Sequence, residues 1–380
     1  DFIAAMFVRG GASLTAAFFW ENFTLALALT GLLYRYALQL TRTRAAAFVS
    51  VALTLLSGGL GWLGFMREWF AGGRSFFDLL AQLPHKYTIL NDSVYRWGNA
   101  ITTLLVPQRA LLLGLPLALV VIMQWWQAVG AEEEKKEEVE VKGGKGKKGK
   151  RGKDRRQQST TNVPPTLLPS FPFSLFPHAA SDAPLRRMIG AGLIAGLLPL
   201  AHAHTFVVLM IVGACLALLF PRWRLWFAFF ITASVLALPQ MWWATRASAV
   251  HASSFFEWTF GWDRGQQNVL WFWFKNTGLF IPLLVAALAW RERVVPKRLL
   301  LFYLPFTLCF IISNVAKVSP YIWDNIKVLF YWYIASTPLV ALLLVRLWHM
   351  RDVTRNKNKL IALWPRVAAV LLFMSLTLAG

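Results

Sequence analysis

The sequence predicts an all-α fold, a polytopic transmembrane helix bundle of about ten spans, and three observations lead to that prediction. Of its 380 residues, 57% are hydrophobic and 15% are charged, whereas soluble domains are about 45–50% apolar and about 25% charged. The chain holds 19 Trp and 29 Phe, which is typical of proteins that meet lipid, because aromatic rings concentrate at membrane interfaces. The apolar runs are continuous, whereas barrel strands would alternate over segments of about 10 residues.

Ten segments come close to the roughly 20 apolar residues that a spanning helix needs. One run, 188–220, is open to two interpretations, because Pro199 and the pair His202 and His204 interrupt it. It forms either one long kinked helix or two short spans, and we prefer two because that choice places every strongly basic loop on one face. The predicted spans are 22–40, 45–65, 108–129, 188–201, 203–220, 223–243, 269–290, 299–315, 327–347 and 361–380.

In so hydrophobic a chain, the net charge of +21 is better explained by the membrane topology than by a nucleic-acid partner. Five segments rich in Lys and Arg alternate with the spans so that all of them fall on the same face, and this is the positive-inside pattern. We therefore expect an integral membrane protein, in the endoplasmic reticulum membrane of a eukaryote or the plasma membrane of a prokaryote, and no nucleic-acid partner. The five predicted cytoplasmic segments are 41–44, 130–187, 221–224, 291–298 and 346–359.

The chain divides into three regions. An N-terminal membrane region, 1–130, contains a large outer loop at 66–107. The segment 131–187 begins with a charged run that lacks aromatic residues and continues into a Pro-rich stretch. Such compositions stay solvated, so we predict a disordered cytoplasmic linker there. A C-terminal membrane region, 188–380, follows.

Several motifs resemble known sites but lack the context that those sites require. Gly59, Gly61 and Gly64 fit a dinucleotide-binding spacing, but they end an apolar span outside any βαβ unit, which favours close packing or a turn. His202 and His204 are two residues apart, and helical spacing would point them to different faces. No acidic residue or Cys lies near them to complete a ligand set, so we predict no metal site at this pair and leave a divalent metal cofactor open.

Acids, amides and aromatics gather in three predicted outer loops, 66–107, 244–268 and 313–327. Trp faces can stack on sugars, a carboxylate can deprotonate an acceptor hydroxyl, and Lys or Arg can hold a phosphate leaving group. Lys275 lies about six residues inside a predicted span, where a charge is costly and indicates function, unless it snorkels to the interface. The candidate bases are Asp92, Asp263 and Asp324, and the candidate binding residues are His85, Arg96, Arg109, His204, Lys275, Asn276, Trp323, Asn325 and Lys327.

The membrane part of the chain resembles the GT-C superfamily of polytopic glycosyltransferases, in its mannosyltransferase-like branch. The likeness rests on many short aromatic-rich spans, a large outer loop, and the phrases LLSGGLGWLGF, VPQRALLLGLPLALV, GLLPLAHAHTF and WDNIKVLFYWYIASTPLVALLL. It implies a polyprenyl- or dolichyl-phosphate sugar as donor substrate and a reaction on the non-cytoplasmic face. It also implies a catalytic Asp in the first outer loop, which is either Asp1 or absent from this sequence.

The favoured hypothesis is therefore transfer of a sugar from a lipid-phosphate donor to an acceptor at the non-cytoplasmic face. Two alternatives remain: a membrane transporter or channel, and a non-enzymatic membrane assembly subunit. An enzyme should carry a cavity at its outer face, extending into the bilayer and lined by Lys275 and Asp324.

Overall fold

The computed structural model describes residues 2–84, 87, 96–145, 182–246, 256–290, 294–350 and 363–378. Helices dominate these residues, and two short strands pair antiparallel, with Glu257 opposite Lys317. The helices are α1 Phe2–Arg9, α2 Leu14–Thr41, α3 Arg44–Leu56, α4 Gly61–Phe70, α5 Phe76–Ala81, α6 Arg109–Lys145, α7 Ala183–Leu219, α8 Trp223–Thr245, α9 Val269–Thr277, α10 Phe280–Ala289, α11 Lys297–Tyr303, α12 Thr307–Val315, α13 Ile326–His349 and α14 Trp364–Thr377, and the strands are β1 Glu257–Trp258 and β2 Ala316–Lys317.

Among the described residues, six helices are long and apolar enough to cross a membrane, and the number rises to eight if two bent helix pairs each form one span. The predicted all-α membrane bundle is confirmed at this level, whereas the number of ten spans stays a prediction. Helix α14 is apolar but has only 14 residues, fewer than a full crossing needs. The six segments are Leu14–Thr41, Arg109–Gly130, Ala183–Leu219, Trp223–Thr245, Lys297–Val315 and Ile322–His349.

Helix α7 folds back on itself at His202, whose backbone is extended (φ −159°, ψ 94°). Gly192, before the break, and Gly213, after it, both contact Phe229 of α8. A straight helix would separate these two glycines by about 30 Å at 1.5 Å per residue, so both cannot reach one residue of α8 unless the halves run antiparallel. The contacts of α7 therefore favour two short helices over one long kinked helix.

The predicted basic segments meet at one end of the bundle, which we call the basic end. Side chains from three helices donate to α6 near Ala128. Gln39 Nε2 donates to the Met123 carbonyl at 3.0 Å, Arg222 Nη1 to the Ala128 carbonyl at 3.1 Å, and Arg298 Nη2 to the Trp126 carbonyl at 2.6 Å. These bonds place the end of α2 and the starts of α8 and α11 beside the same turn of α6.

The opposite end of the bundle, which we call the polar end, contains the turns between helices that are not at the basic end. Helix α13 lies at the centre and is buried along most of its length. It runs antiparallel to α3, since Ser50 Oγ lies 3.0 Å from Thr337 Oγ1 while Tyr333, four residues earlier, donates to the Leu53 carbonyl at 2.9 Å. The start of α13 and the end of α3 therefore share the polar end.

Two predicted spans are bent at the polar end. Helices α3 and α4 meet at 71°, and α9 and α10 meet at 97°. The two bends contact each other closely, because the Leu60 N–H donates to the Lys275 carbonyl at 2.8 Å. A Cβ at Gly59 would collide with the carbonyl oxygens of Lys275 and Asn276. Close backbone approach thus accounts for the glycine spacing, in agreement with the packing interpretation.

Helix α6 extends to Lys145. It therefore includes 15 residues, 131–145, of the segment predicted as a disordered linker. The sequence there alternates Glu and Lys blocks, with Glu132 four residues before Lys136 and Glu138 four residues before Lys142. Both residue types favour helix, and Glu followed by Lys at this spacing stabilises it further. Helix α6 therefore overlaps the first part of the predicted linker, whose bounds stay a prediction, and residues 146–181 lie outside the described structure.

Candidate functional site

A first group of charged side chains lies where α13 begins. Asp324 Oδ1 lies 2.9 Å from Lys327 Nζ, and Ser319 Oγ donates to Asp324 Oδ2 at 2.7 Å. Both charged side chains keep about a fifth of their surface accessible, 22% for Asp324 and 16% for Lys327. The N-terminus of a helix also favours an anion. The Asp324 carboxylate is therefore held in place, and its remaining exposed surface leaves it accessible to a substrate.

Asn325, the next residue, is fully buried and its amide is used inside the protein. Its Nδ2 donates to the carbonyls of Ser313 and Ala316, and its Oδ1 accepts from the Val318 N–H. These bonds close the loop that carries Asp324. The structure shows Asn325 supporting the loop, and its predicted role in substrate binding stays a prediction.

The pair His202 and His204 lies beside this first group. The two rings are 5.6 Å apart between centroids. His202 is joined to α13 through Thr205 and the Tyr331 hydroxyl, one helical turn after Lys327. Helical geometry would have separated the rings, but the extended backbone at His202 brings them together. Of the two, only His204 was predicted as a site residue, although the sequence placed a break between two short spans at this pair.

A second ion pair joins the predicted residues Arg96 and Asp263. Arg96 Nε lies 2.9 Å from Asp263 Oδ2, with 29% and 28% of the side chains exposed. Burial raises the pKa of Asp263 above its ordinary value, and the Arg96 charge opposes that rise. A carboxylate with a raised pKa is a stronger base near neutral pH, which is what proton abstraction needs.

Asn276 fixes the backbone on which Arg96 sits. Its side chain is fully buried, and its Oδ1 accepts from the N–H groups of Arg96 at 2.5 Å and Trp97 at 2.8 Å. Its Nδ2 donates to the Phe272 carbonyl at 2.9 Å. The structure therefore brings Asn276 to the predicted site, where it positions the backbone of Arg96, and its predicted binding role stays a prediction.

A stack of tryptophans connects the two ion pairs. Trp262 stacks on Trp323 at 5.8 Å and on Trp273 at 5.7 Å, and its Nε1 donates to the Ile322 carbonyl at 3.1 Å. Asp263 follows Trp262 in the chain and Asp324 follows Trp323, so each carboxylate adjoins one member of the stack. Trp262 was missed as a site residue, although the turn residues Gly261 and Gly265 around it were a signal that its backbone is constrained.

Two predicted cations lie apart from these ion pairs. Arg109, at the start of α6, places its guanidinium over the Phe18 ring at 3.9 Å, five residues before Gly114, which packs against His202. Lys275 is half-buried on α9. Since α9 turns by 97° into α10, counting residues along a straight span does not give the depth of Lys275, and the predicted intramembrane position loses its basis.

A small cleft, partly open to solvent, also lies near the polar end. It is lined by Trp97 and by the residues Thr54, Ser57, Thr103 and Tyr333, together with apolar side chains. Neither Lys275 nor Asp324 lines it, so this cleft is not the cavity that the sequence predicted. Three predicted site residues, Asp1, His85 and Asp92, lie outside the described residues.

Within the described part of the chain, no group of three or more His, Cys, Asp or Glu side chains is arranged to hold a metal ion. Comparison with known proteins identifies no family for this chain, since no protein-family model, no curated protein and no solved structure matches it.

Proposed function

We propose that the protein is a membrane glycosyltransferase that moves a sugar from a lipid-phosphate donor to an acceptor hydroxyl at the polar end of the bundle. The proposal rests on two carboxylates, Asp263 and Asp324. Each forms an ion pair with a basic side chain, and each follows one member of the tryptophan stack in the chain. The GT-C resemblance of the sequence supports the same reaction class.

The reaction needs three contributions from the chain. A carboxylate takes the proton of the acceptor hydroxyl, and the acceptor oxygen forms the new bond to the anomeric carbon of the sugar. The bond between that carbon and the donor phosphate oxygen breaks, and the lipid phosphate leaves with the electron pair. Lys327 can stabilise the negative charge on the leaving phosphate, and the indole faces can position the sugar ring.

Replacing either carboxylate tests this assignment. We expect Asp324→Asn and Asp263→Asn each to lower transfer by about 100-fold or more, because loss of a general base removes about 10²–10⁴-fold in rate. The readout is incorporation of radiolabelled sugar from polyprenyl-phosphate sugars by membranes that contain equal amounts of each variant.

The matched control is Glu257→Gln, since Glu257 is an exposed acid at the same end that also pairs with a lysine, Lys317. It should transfer sugar at the wild-type rate. Wild-type transfer by both aspartate variants would refute the site assignment.

A transporter is the second candidate, because broken helices around a central site are typical of secondary transporters. The break in α7 and the two bent pairs fit that description. The two ion pairs Arg96–Asp263 and Asp324–Lys327 lie at the polar end rather than at the middle of the spans, and this position favours the enzyme.

A further inference from the structure

His202 presents a hydrogen-bond donor with no acceptor among the described residues. Its side chain is only 7% exposed, and its Nε2 atom is buried without a hydrogen-bond partner in the described structure. Leaving a buried polar group unsatisfied is destabilising, so such groups in folded proteins commonly meet a water or a ligand. The position of this atom thus indicates a binding site.

The other ring nitrogen fixes which proton the ring carries. The backbone N–H of Thr205 donates to His202 Nδ1 at 3.3 Å, and a backbone N–H can only donate. Nδ1 is therefore an acceptor, and the neutral ring carries its proton on Nε2. Thr205 Oγ1 lies 2.7 Å from the same Nδ1 and also contacts the buried Tyr331 hydroxyl, so α13 helps to hold the ring.

The packing around the ring gives it little freedom to turn away. Gly114 of α6 lies so close that a Cβ there would stand 2.8 Å from the His202 Cβ. The extended backbone of His202 places the ring at the turn of the α7 hairpin, next to His204. An oriented N–H that costs no reorganisation is the kind of donor that enzymes direct at a charged oxygen.

The neighbours of the ring indicate which oxygen would be bound. The hydroxyl of Thr205 joins His202 Nδ1 to Tyr331 of α13, and Lys327 precedes Tyr331 by one turn of that helix. Asp324 is already paired with Lys327 and Ser319. A donor N–H beside a lysine matches a phosphate oxygen, since hydrogen bonds to charged acceptors are the strong ones.

We propose that His202 Nε2–H binds a phosphate oxygen of the lipid-phosphate ligand, with Lys327 as a second contact. This inference rests on the proposed function for its choice of a lipid phosphate. It goes beyond that function by assigning a phosphate contact to His202, the neighbour of the predicted binding residue His204 at the break of α7.

Two amide substitutions separate the role of each ring nitrogen. Glutamine can place an N–H near the position of Nε2, whereas asparagine reaches only as far as Nδ1. The probe is a ten-carbon prenyl monophosphate, titrated calorimetrically into the purified protein in detergent. We expect His202→Asn and His202→Phe to bind it about tenfold or more weakly, and His202→Gln to bind within about threefold of wild type.

Thermal unfolding of each variant shows whether it is folded, and ¹⁵N spectra of histidine-labelled protein report the tautomer directly. The His202 signals, identified by their loss in His202→Gln, should show the proton on Nε2, and adding the probe should shift them. Wild-type affinity in His202→Phe, or a proton on Nδ1 in the free protein, would overturn the proposal.

Two further ligands identify the source of the phosphate. Inorganic phosphate and the matching prenyl alcohol should both bind more weakly than the prenyl monophosphate. Equal, His202-dependent binding of the alcohol would overturn recognition of phosphate, and His202-dependent binding of inorganic phosphate alone would overturn the lipid source. Binding of the prenyl monophosphate that depends on His202, in a protein that transfers no sugar, would support this inference while refuting the proposed function.

Discussion

At the scale of single residues, the residue type alone did not predict which side chains contact one another at the site. Asn276 and Asn325 were predicted as binding groups because amides suit sugar hydroxyls, yet both are buried and bonded to backbone groups. Trp262 and His202 were not predicted, because one owes its position to a turn with positive φ and the other to a break in a helix. Such backbone conformations depend on tertiary contacts, which a single sequence does not display.

The close approach at Gly59 leads to a prediction about stability. We expect Gly59→Ala to lower the free energy of unfolding by about 1–3 kcal/mol, the usual cost of inserting a methyl group into a packed site, because the new Cβ would meet two carbonyl oxygens. Denaturant or thermal unfolding in detergent measures the effect.

Gly31→Ala is the matched control for that change. Gly31 lies within α2 with no atom within 4 Å of a built Cβ, and alanine is the better helix former by about 0.5–1 kcal/mol. It should be neutral or slightly stabilising. If Gly59→Ala and Gly31→Ala unfold alike, the bent pairs do not contact each other as described.

The helices were easier to predict than their breaks. Continuous apolar runs located the segments of α2, α6, α8 and α13, since burial in lipid or protein demands apolar residues along the whole length. The bends of 71° and 97° leave the apolar composition unchanged, so residue counting treated each bent pair as one straight span. Only the interruption in 188–220 carried a signal, through its proline and histidines.

The α7 hairpin predicts the sides from which its ends react. In a background with Cys215 and Cys309 changed to alanine, we expect Asp182→Cys and Arg224→Cys to be labelled by an impermeant maleimide from one side of the membrane. Ala203→Cys, at the turn, should be labelled from the other side. Labelling of positions 182 and 224 from opposite sides would show that α7 crosses the membrane once.

Over the whole molecule, the charge pattern was the most informative part of the sequence. The contacts of Gln39, Arg222 and Arg298 with α6 bring four of the five predicted cytoplasmic segments, 41–44, 130–187, 221–224 and 291–298, to the basic end. The Arg96, Asp263 and Asp324 side chains lie at the polar end, as their predicted loops required. Which of them meet could not be predicted, because the stack of Trp262 on Trp323 joins loops about 60 residues apart.

We propose that this polar end breaks the bond between a sugar and a lipid phosphate. The most direct measurement is mass spectrometry of the lipids after purified protein in liposomes is incubated with polyprenyl-phosphate mannose and a range of acceptor alcohols. We expect free polyprenyl phosphate to accumulate with the wild-type protein and not with the Asp263→Asn, Asp324→Asn double variant. Recovery of intact donor with the wild type, whether moved across the bilayer or left in place, would contradict it.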